Sequence, residues 1–236
     1  MKSLPAFAFA YRGVLVSLCP LSCALPPWSG LAPRVEIAAA ALLLCLGLGL
    51  RLAGVREIGG RARVHSAGAR DLVSSGIFAT TRNPLYLGNA LAAAGATFLL
   101  AGPLAAAATG LYLGLLYALV VRHEERVLLS LWGAAYRDYL ERVPRWIPRL
   151  GGSDFSGRSR EPYSWSEVLR LEKWGVLAVA CALVVSFAFP DTLAALRQRA
   201  ELRTAIGALS ILVFVVLFVR RASRSKRKHG LIFHAE

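Results

Sequence analysis

The stretch that decides the fold runs from residue 82 to residue 125 and reads RNPLYLGNALAAAGATFLLAGPLAAAATGLYLGLLYALVVRHEE. No charged residue occurs over 85–121, and Gly102-Pro103 divides this interval into two apolar runs. Each run has about 17–18 residues, the lower limit for a helix that crosses the hydrocarbon core. Because so short a turn returns the chain to its starting side, two polar clusters, Arg82–Gly88 and Arg122–Glu125, are predicted to meet at one membrane face.

The composition indicates an integral membrane protein. Of the 236 residues, 56% are hydrophobic, and the mean hydropathy is +0.52. The apolar residues form long blocks, which predicts an all-α, polytopic membrane helical bundle. Arg12 and Pro20 interrupt the first block, which we expect to be a retained helix rather than a cleaved signal peptide. The predicted spans are 10–28, 35–53, 84–101, 104–121, 174–190 and 204–220.

The basic residues are distributed unevenly between these spans. The net charge is +14, and the segments 51–83, 122–173 and 220–228 hold 6, 10 and 6 Lys or Arg. This positive-inside pattern predicts that both termini and both polar clusters are cytoplasmic. The loop at 191–203 fits the positive-inside pattern less well, because it is predicted on the opposite side and contains Arg197, Arg199 and Arg203. The basic tail at 220–228 is predicted to lie near anionic lipid headgroups rather than to bind nucleic acid.

The sequence predicts no metal site. The four histidines have no ligand spacing, and the cysteines have no paired metal-type spacing. The cysteines lie in or beside apolar spans, where inert core thiols are expected: Cys19, Cys23, Cys45 and Cys181.

Three regions follow from this pattern. Residues 1–73 form an N-terminal helix pair and a connector, and residues 74–150 form the core with the hairpin. Residues 151–236 form a linker, two further spans and the basic tail. The sequence does not predict an oligomeric state.

A cytoplasmic amphipathic helix is predicted from about 122 to 142. One apolar face is formed by residues at helical spacing: Leu128, Leu131, Trp132, Ala135, Tyr136, Tyr139, Leu140 and Val143. Glu124 and Glu125 extend the same face toward the membrane, where an unpaired ionised group is costly. These carboxylates either cap the helix and pair with Arg122 or Arg126, or form a site with Arg82, Asn83 and Tyr86.

At these residues the chain resembles the isoprenylcysteine carboxyl methyltransferase and phospholipid methyltransferase superfamily of integral-membrane enzymes. The matching elements lie over residues 74–150 in the family's order. Asn83 stands where many members have His, which keeps a hydrogen-bonding side chain but removes a titratable base. The elements are Gly76-Ile77-Phe78, Arg82-Asn83-Pro84-Leu85-Tyr86-Leu87-Gly88, Glu124-Glu125-Arg126-Val127-Leu128, Trp132-Gly133, Tyr136, Tyr139 and Val143-Pro144-Arg145-Trp146-Ile147-Pro148.

The resemblance implies S-adenosylmethionine as methyl donor and a lipidic acceptor, either an isoprenylcysteine-type carboxylate or a phospholipid amine. The catalytic residues are expected to be Arg82, Arg122 and Glu125, with Arg122 or Arg82 orienting the carboxylate or phosphate of the acceptor. The residues expected on the donor side are Asn83, Tyr86, Gly88, Glu124, Glu125, Tyr136, Pro144 and Arg145.

Two other functions are compatible with parts of the pattern. Membrane-embedded sterol-type reductases, which use NADPH, share a similar tract of Asn/Tyr, acidic and Pro-rich elements. The doubled glutamate favours the methyltransferase. A non-catalytic membrane scaffold or transport component would also accommodate the basic tail and the extra spans.

Overall fold

The computed structural model of the chain describes residues 3–27, 32–59, 72–149 and 161–232, with side chains up to residue 222. Regular structure in these ranges is helical and contains no strand, which confirms the predicted all-α class. The described elements are α1 (Leu4–Leu15), which continues as a 3₁₀ helix (Val16–Ala24), α2 (Pro33–Ile58), a 3₁₀ turn (Gly76–Ala79), α3 (Pro84–Ala101), α4 (Pro103–Arg142), α5 (Trp165–Ala188), α6 (Pro190–Gln198) and α7 (Ala200–Ile232).

The described residues contain six helical segments that are long and apolar enough to cross a membrane. Their positions confirm the predicted multi-pass architecture. The first begins at Leu4 rather than at residue 10, and Pro20 lies in its 3₁₀ part, where the helix lacks one backbone donor. The segments are Leu4–Ala24, Pro33–Ile58, Pro84–Ala101, Pro103–Arg142, Trp165–Ala188 and Ala200–Ala222.

The predicted hairpin is formed by α3 and α4. Gly102 ends α3 with a φ of 87°, a backbone conformation that residues other than glycine rarely adopt, and Pro103 is the first residue of α4. The turn returns the chain to its starting end, so that Arg82 and Glu125 are in contact at 2.7 Å. The two polar clusters therefore meet as predicted.

Helices α2 and α3 pack with their backbones almost in contact. A Cβ atom on Gly88 would lie 2.7 Å from the carbonyl oxygen of Gly47 and 3.0 Å from the nitrogen of Arg51. A Cβ on Gly95 would lie 2.9 Å from the nitrogen of Leu44. Small residues permit this approach where lipid provides no hydrophobic force between helices. The contact determines how α2 is placed against the start of α3.

Gly88→Ala is therefore expected to destabilise the protein by about 2 kcal/mol, because the added methyl group must push two backbones apart. Gly114→Ala is the matched control, since nothing lies within 4 Å of a Cβ built there. The control should be neutral or slightly stabilising. Denaturant titration of both variants in mixed micelles measures the difference, and equal stabilities would refute the close packing.

Helix α4 has 40 residues from the hairpin turn to Arg142, and a kink at Gly133 divides it into two helical parts. At 1.5 Å per residue the two parts together amount to about 60 Å of helix, twice the thickness of the hydrocarbon core. Residues 122–142 are helical as predicted, but the predicted start at residue 122 was wrong, because the helix of the span runs through it and is interrupted at Gly133 instead. The prediction of a single buried face was also wrong in part. Gly133 has a φ of 52° and breaks the helical register, which leaves Leu131 and Ala135 exposed while Tyr136 and Tyr139 are buried.

Two ion pairs connect the C-terminal helices to the rest of the bundle. At the end where α3 begins, Glu172 of α5 accepts two hydrogen bonds from Arg51 of α2, at 2.7 and 3.0 Å. At the opposite end, Arg197 of α6 pairs with Glu36 of α2 and donates to the carbonyl oxygens of Leu99 and Phe98. Arg197 is thus engaged inside the protein, which accounts for one of the three arginines that fitted the charge pattern poorly.

Several predicted features lie wholly or partly outside the described residues. These are residues 60–71 of the connector, residues 151–160 of the linker and the side chains of the basic tail after residue 222. The cytoplasmic orientation stays a prediction from the charge distribution.

Candidate functional site

A cavity of about 630 Å³ lies at the end of the bundle where α3 begins. Its walls come from α1, α2, α3, α4 and the segment before α3. Aliphatic side chains complete a lining that is otherwise polar or aromatic. The charged and amide side chains are Arg12, Arg51, Arg82, Asn83, Asn89, Glu124 and Glu125, and the tyrosines are Tyr86, Tyr117, Tyr136 and Tyr139.

Glu125 is held by two arginines. Nη1 of Arg82 donates to Oε1 at 2.7 Å, and Arg145 donates from Nη2 to Oε2 at 2.6 Å and from Nε to Oε1 at 3.1 Å. The Glu125 side chain is only 11% exposed. A carboxylate so enclosed needs these charge-assisted bonds to offset its loss of water. Glu125 therefore joins the start of α3, the middle of α4 and the segment after α4.

That last segment, Val143–Pro148, is called the strap. Its backbone carbonyl oxygens accept hydrogen bonds from the residues before α3. The backbone N–H of Arg82 donates to the carbonyl oxygen of Pro144 at 2.9 Å, and the Asn83 amide donates to that of Arg145 at 3.0 Å. The contact made at position 83 thus requires only a neutral N–H donor, which the Asn83 amide supplies. The hydroxyl of Thr81 donates to the carbonyl oxygen of Trp146 at 3.1 Å.

Glu124 faces the same cavity with different partners. Its Oε1 accepts a hydrogen bond from the hydroxyl of Tyr86 at 2.7 Å. The rings of Tyr86 and Tyr117 are 4.7 Å apart at their centroids and tilted by 40°. No described arginine forms an ion pair with Glu124. Among the described residues, the cavity therefore presents one carboxyl group without an ion-pair contact, beside two aromatic rings.

The tyrosines after the kink close the far side of the cavity. Tyr136 and Tyr139 are buried, with ring centroids 5.7 Å apart, and the hydroxyl of Tyr139 donates to the carbonyl oxygen of Phe78 at 2.8 Å. The register change at Gly133 places both rings here. The donor-side prediction for Tyr136 is therefore compatible with its position.

Sequence reasoning did not identify Arg51 and Asn89 as cavity residues. Nη1 of Arg51 donates to Oδ1 of Asn89 at 2.7 Å, while its other donors bind Glu172. A signal was present: Asn89 is the amide in an apolar run, three residues after Tyr86 and so on the same helix face. Glu172 could not be connected to this site from its sequence position.

Other predicted site residues lie outside the cavity lining. Gly88 faces α2, where it permits close helix packing, and the side chain of Arg122 is exposed. Pro144 and Arg145 lie behind Glu125, with the strap. Within the described residues, no group of three or more His, Cys, Asp or Glu is placed to hold a metal ion.

Comparisons with known proteins match the part of the chain that builds most of this site. The model of the phospholipid methyltransferase family matches residues 35–135. Protein-S-isoprenylcysteine O-methyltransferase of Schizosaccharomyces pombe is 32% identical over 111 residues, which cover 45% of this chain and 47% of that protein. The cobalt-zinc-cadmium resistance protein CzcN of Cupriavidus metallidurans is 34% identical over 110 residues, covering 46% of this chain and 50% of that protein.

The chain thus spans about half the length of the curated relatives it matches. No solved structure matches it. The matched region contains α3 and the part of α4 up to residue 135, with Arg82, Tyr86, Glu124 and Glu125. This match and the isoprenylcysteine methyltransferase relative support the resemblance to the integral-membrane methyltransferase superfamily that the motifs predicted.

Proposed function

We propose that the protein is a membrane-bound S-adenosylmethionine-dependent methyltransferase that acts on a lipidic acceptor, such as an isoprenylcysteine-type carboxylate or a phospholipid amine. The observation that carries the proposal is the meeting of Arg82, Tyr86, Glu124 and Glu125 in one cavity within the family-matched region. The cavity lies at the end of a membrane bundle, where a polar donor and an apolar acceptor can both arrive. The charge distribution favours the cytoplasmic side for this end.

The residues present fit the chemistry of S-adenosylmethionine. The cavity volume of about 630 Å³ lies in the range of small-molecule sites. Glu124 offers a carboxylate for an ammonium group or a ribose hydroxyl. Tyr86 and Tyr117 offer ring faces for a cation or for a planar base. The donor, when bound, would supply a methyl group activated by a positively charged sulfur.

The chain's own contribution is positioning. Methyl transfer is an in-line displacement, so its rate depends on holding two reactants in line and excluding water. Glu125 acts indirectly in this proposal, because its two arginine partners leave it no free oxygen for a strong second role. It holds Arg82 at the cavity wall and keeps the strap closed. The exposed Arg122 is not assigned a role.

The test is the binding of labelled S-adenosylmethionine to the full-length protein in nanodiscs, with NADPH as competitor. We expect saturable binding that NADPH does not displace. Glu124→Gln should weaken it about tenfold or more, because the charge that faces the donor is lost. Arg126→Gln, an exposed neighbour on the same helix, is the control and should bind as the wild type does.

Failure of the wild type to bind S-adenosylmethionine would overturn the donor assignment, and displacement by NADPH would favour a reductase. The acceptor is identified separately. Lipid extracts from cells with and without the protein are compared by mass spectrometry for a species that gains the mass of one CH₂ group.

A further inference from the structure

Arg12 places a positive charge inside the first membrane segment. It lies in α1, is partly buried and lines the same cavity as Glu124 and Tyr86. The family match begins at residue 35, so the comparison gives Arg12 no role. A charged side chain in a membrane helix is costly, and such residues usually face a partner or a ligand.

The internal contacts of Arg12 include no ion pair among the described residues. Nη1 donates to the carbonyl oxygen of Phe9 at 2.9 Å, one turn earlier in the same helix. The guanidinium lies over the Phe9 ring, 4.2 Å from its centroid, which holds the group in place. Among the described residues, no carboxylate forms an ion pair with Arg12.

The two other arginines of the cavity differ in this respect. Arg51 is paired with Glu172 and Arg82 with Glu125, each at 2.7 Å. Glu124 shares the cavity with Arg12, and their charges interact across it, but its hydrogen bond comes from Tyr86 and the two form no ion pair. Among the described residues, the lining therefore has one arginine that forms no ion pair with a carboxylate.

We propose that Arg12 is the oxyanion-binding residue of the cavity and takes the carboxylate or phosphate of a bound ligand. A guanidinium suits this role because its planar fork of N–H donors matches both groups. The identity of the ligand rests on the proposed function. The oxyanion has two possible sources, the amino-acid carboxylate of the methyl donor and the anionic headgroup of a lipidic acceptor.

The experiment uses the full-length protein in nanodiscs and two matched pairs of probes. S-adenosylmethionine is compared with decarboxylated S-adenosylmethionine, and phosphatidate with diacylglycerol by native mass spectrometry. In the wild type, at least one oxyanion-bearing probe should bind about tenfold or more tightly than its matched partner. Arg12→Gln should abolish that preference, Arg12→Lys should retain part of it, and Arg126→Gln should leave it unchanged.

Loss of the preference in the donor pair assigns Arg12 to the donor carboxylate, and loss in the lipid pair assigns it to the acceptor. A preference that survives Arg12→Gln in both pairs, or its absence from the wild type in both, would overturn the proposal. A wild type that binds no S-adenosylmethionine overturns the donor assignment above, while the lipid pair still decides the role of Arg12. Should Arg12→Gln fail to fold, Arg12→Lys decides, because a merely structural charge predicts wild-type discrimination in that variant.

Discussion

The Glu125→Ala protein is expected to unfold about 3 kcal/mol more easily than the wild type and to bind S-adenosylmethionine about a hundredfold less tightly. The reason is that one carboxylate satisfies two arginines. Without it, Arg82, whose side chain is 14% exposed, keeps its charge but loses its acid partner. Arg145 no longer ties the strap to α4, and the cavity wall is left open.

Asp138→Ala is the matched control for Glu125→Ala. Asp138 accepts a 2.7 Å bond from Arg142 on the same helix, but these side chains are 43% and 50% exposed. Such exposed pairs contribute about 0–1 kcal/mol. Unfolding in mixed micelles and labelled-donor binding are measured for both variants. Equal behaviour of the two would show that burial of the Glu125 cluster has no energetic importance.

Arg197→Ala should have the largest effect on stability, about 4 kcal/mol, without touching the cavity. Arg197 and Glu36 are 7% and 2% exposed, so removing the arginine leaves a buried carboxylate without its cation. The carbonyl oxygens of Phe98 and Leu99, at the end of α3, lose their donor as well. The substitution therefore leaves both a buried carboxylate and two buried carbonyl oxygens without their partner, and the two losses of stability add.

Arg199→Ala provides the comparison, because Arg199 lies two residues away with an exposed side chain. The same unfolding titration measures both variants, and donor binding is measured under conditions where both remain folded. We expect wild-type stability for Arg199→Ala, and near wild-type donor affinity for both. An Arg197→Ala protein as stable as the control would mean that the Glu36 pair does not hold α6 against the bundle.

Much of the architecture was predictable because membrane spans depend on local composition. The uncharged runs on either side of Gly102-Pro103 predicted α3 and α4 and their return to one end. That return placed Arg82 near Glu125 before any distance was known. The small residues of α3 permit close contact with another helix, but the local sequence does not show that the partner is α2.

Other features could not be predicted from the local sequence. The break at Gly133 was hidden because glycine is also tolerated inside helices, and it changed which face of α4 is buried. Gly88 belongs to a matching motif, yet its position serves helix packing. The motif identified residues that lie together, but it did not distinguish those that line the cavity from those that hold the helices in place around it.

The sequence by itself determined the membrane spans, the hairpin and the end of the bundle at which polar groups gather, because transfer of an apolar run into lipid depends on that run alone. Only the tertiary structure decided which charges neutralise one another. Arg82 and Glu125 are 43 positions apart, and Arg51 and Glu172 are 121 apart. Such pairs require several helices to pack in one arrangement, and that arrangement leaves Arg12 without an ion pair among the described residues.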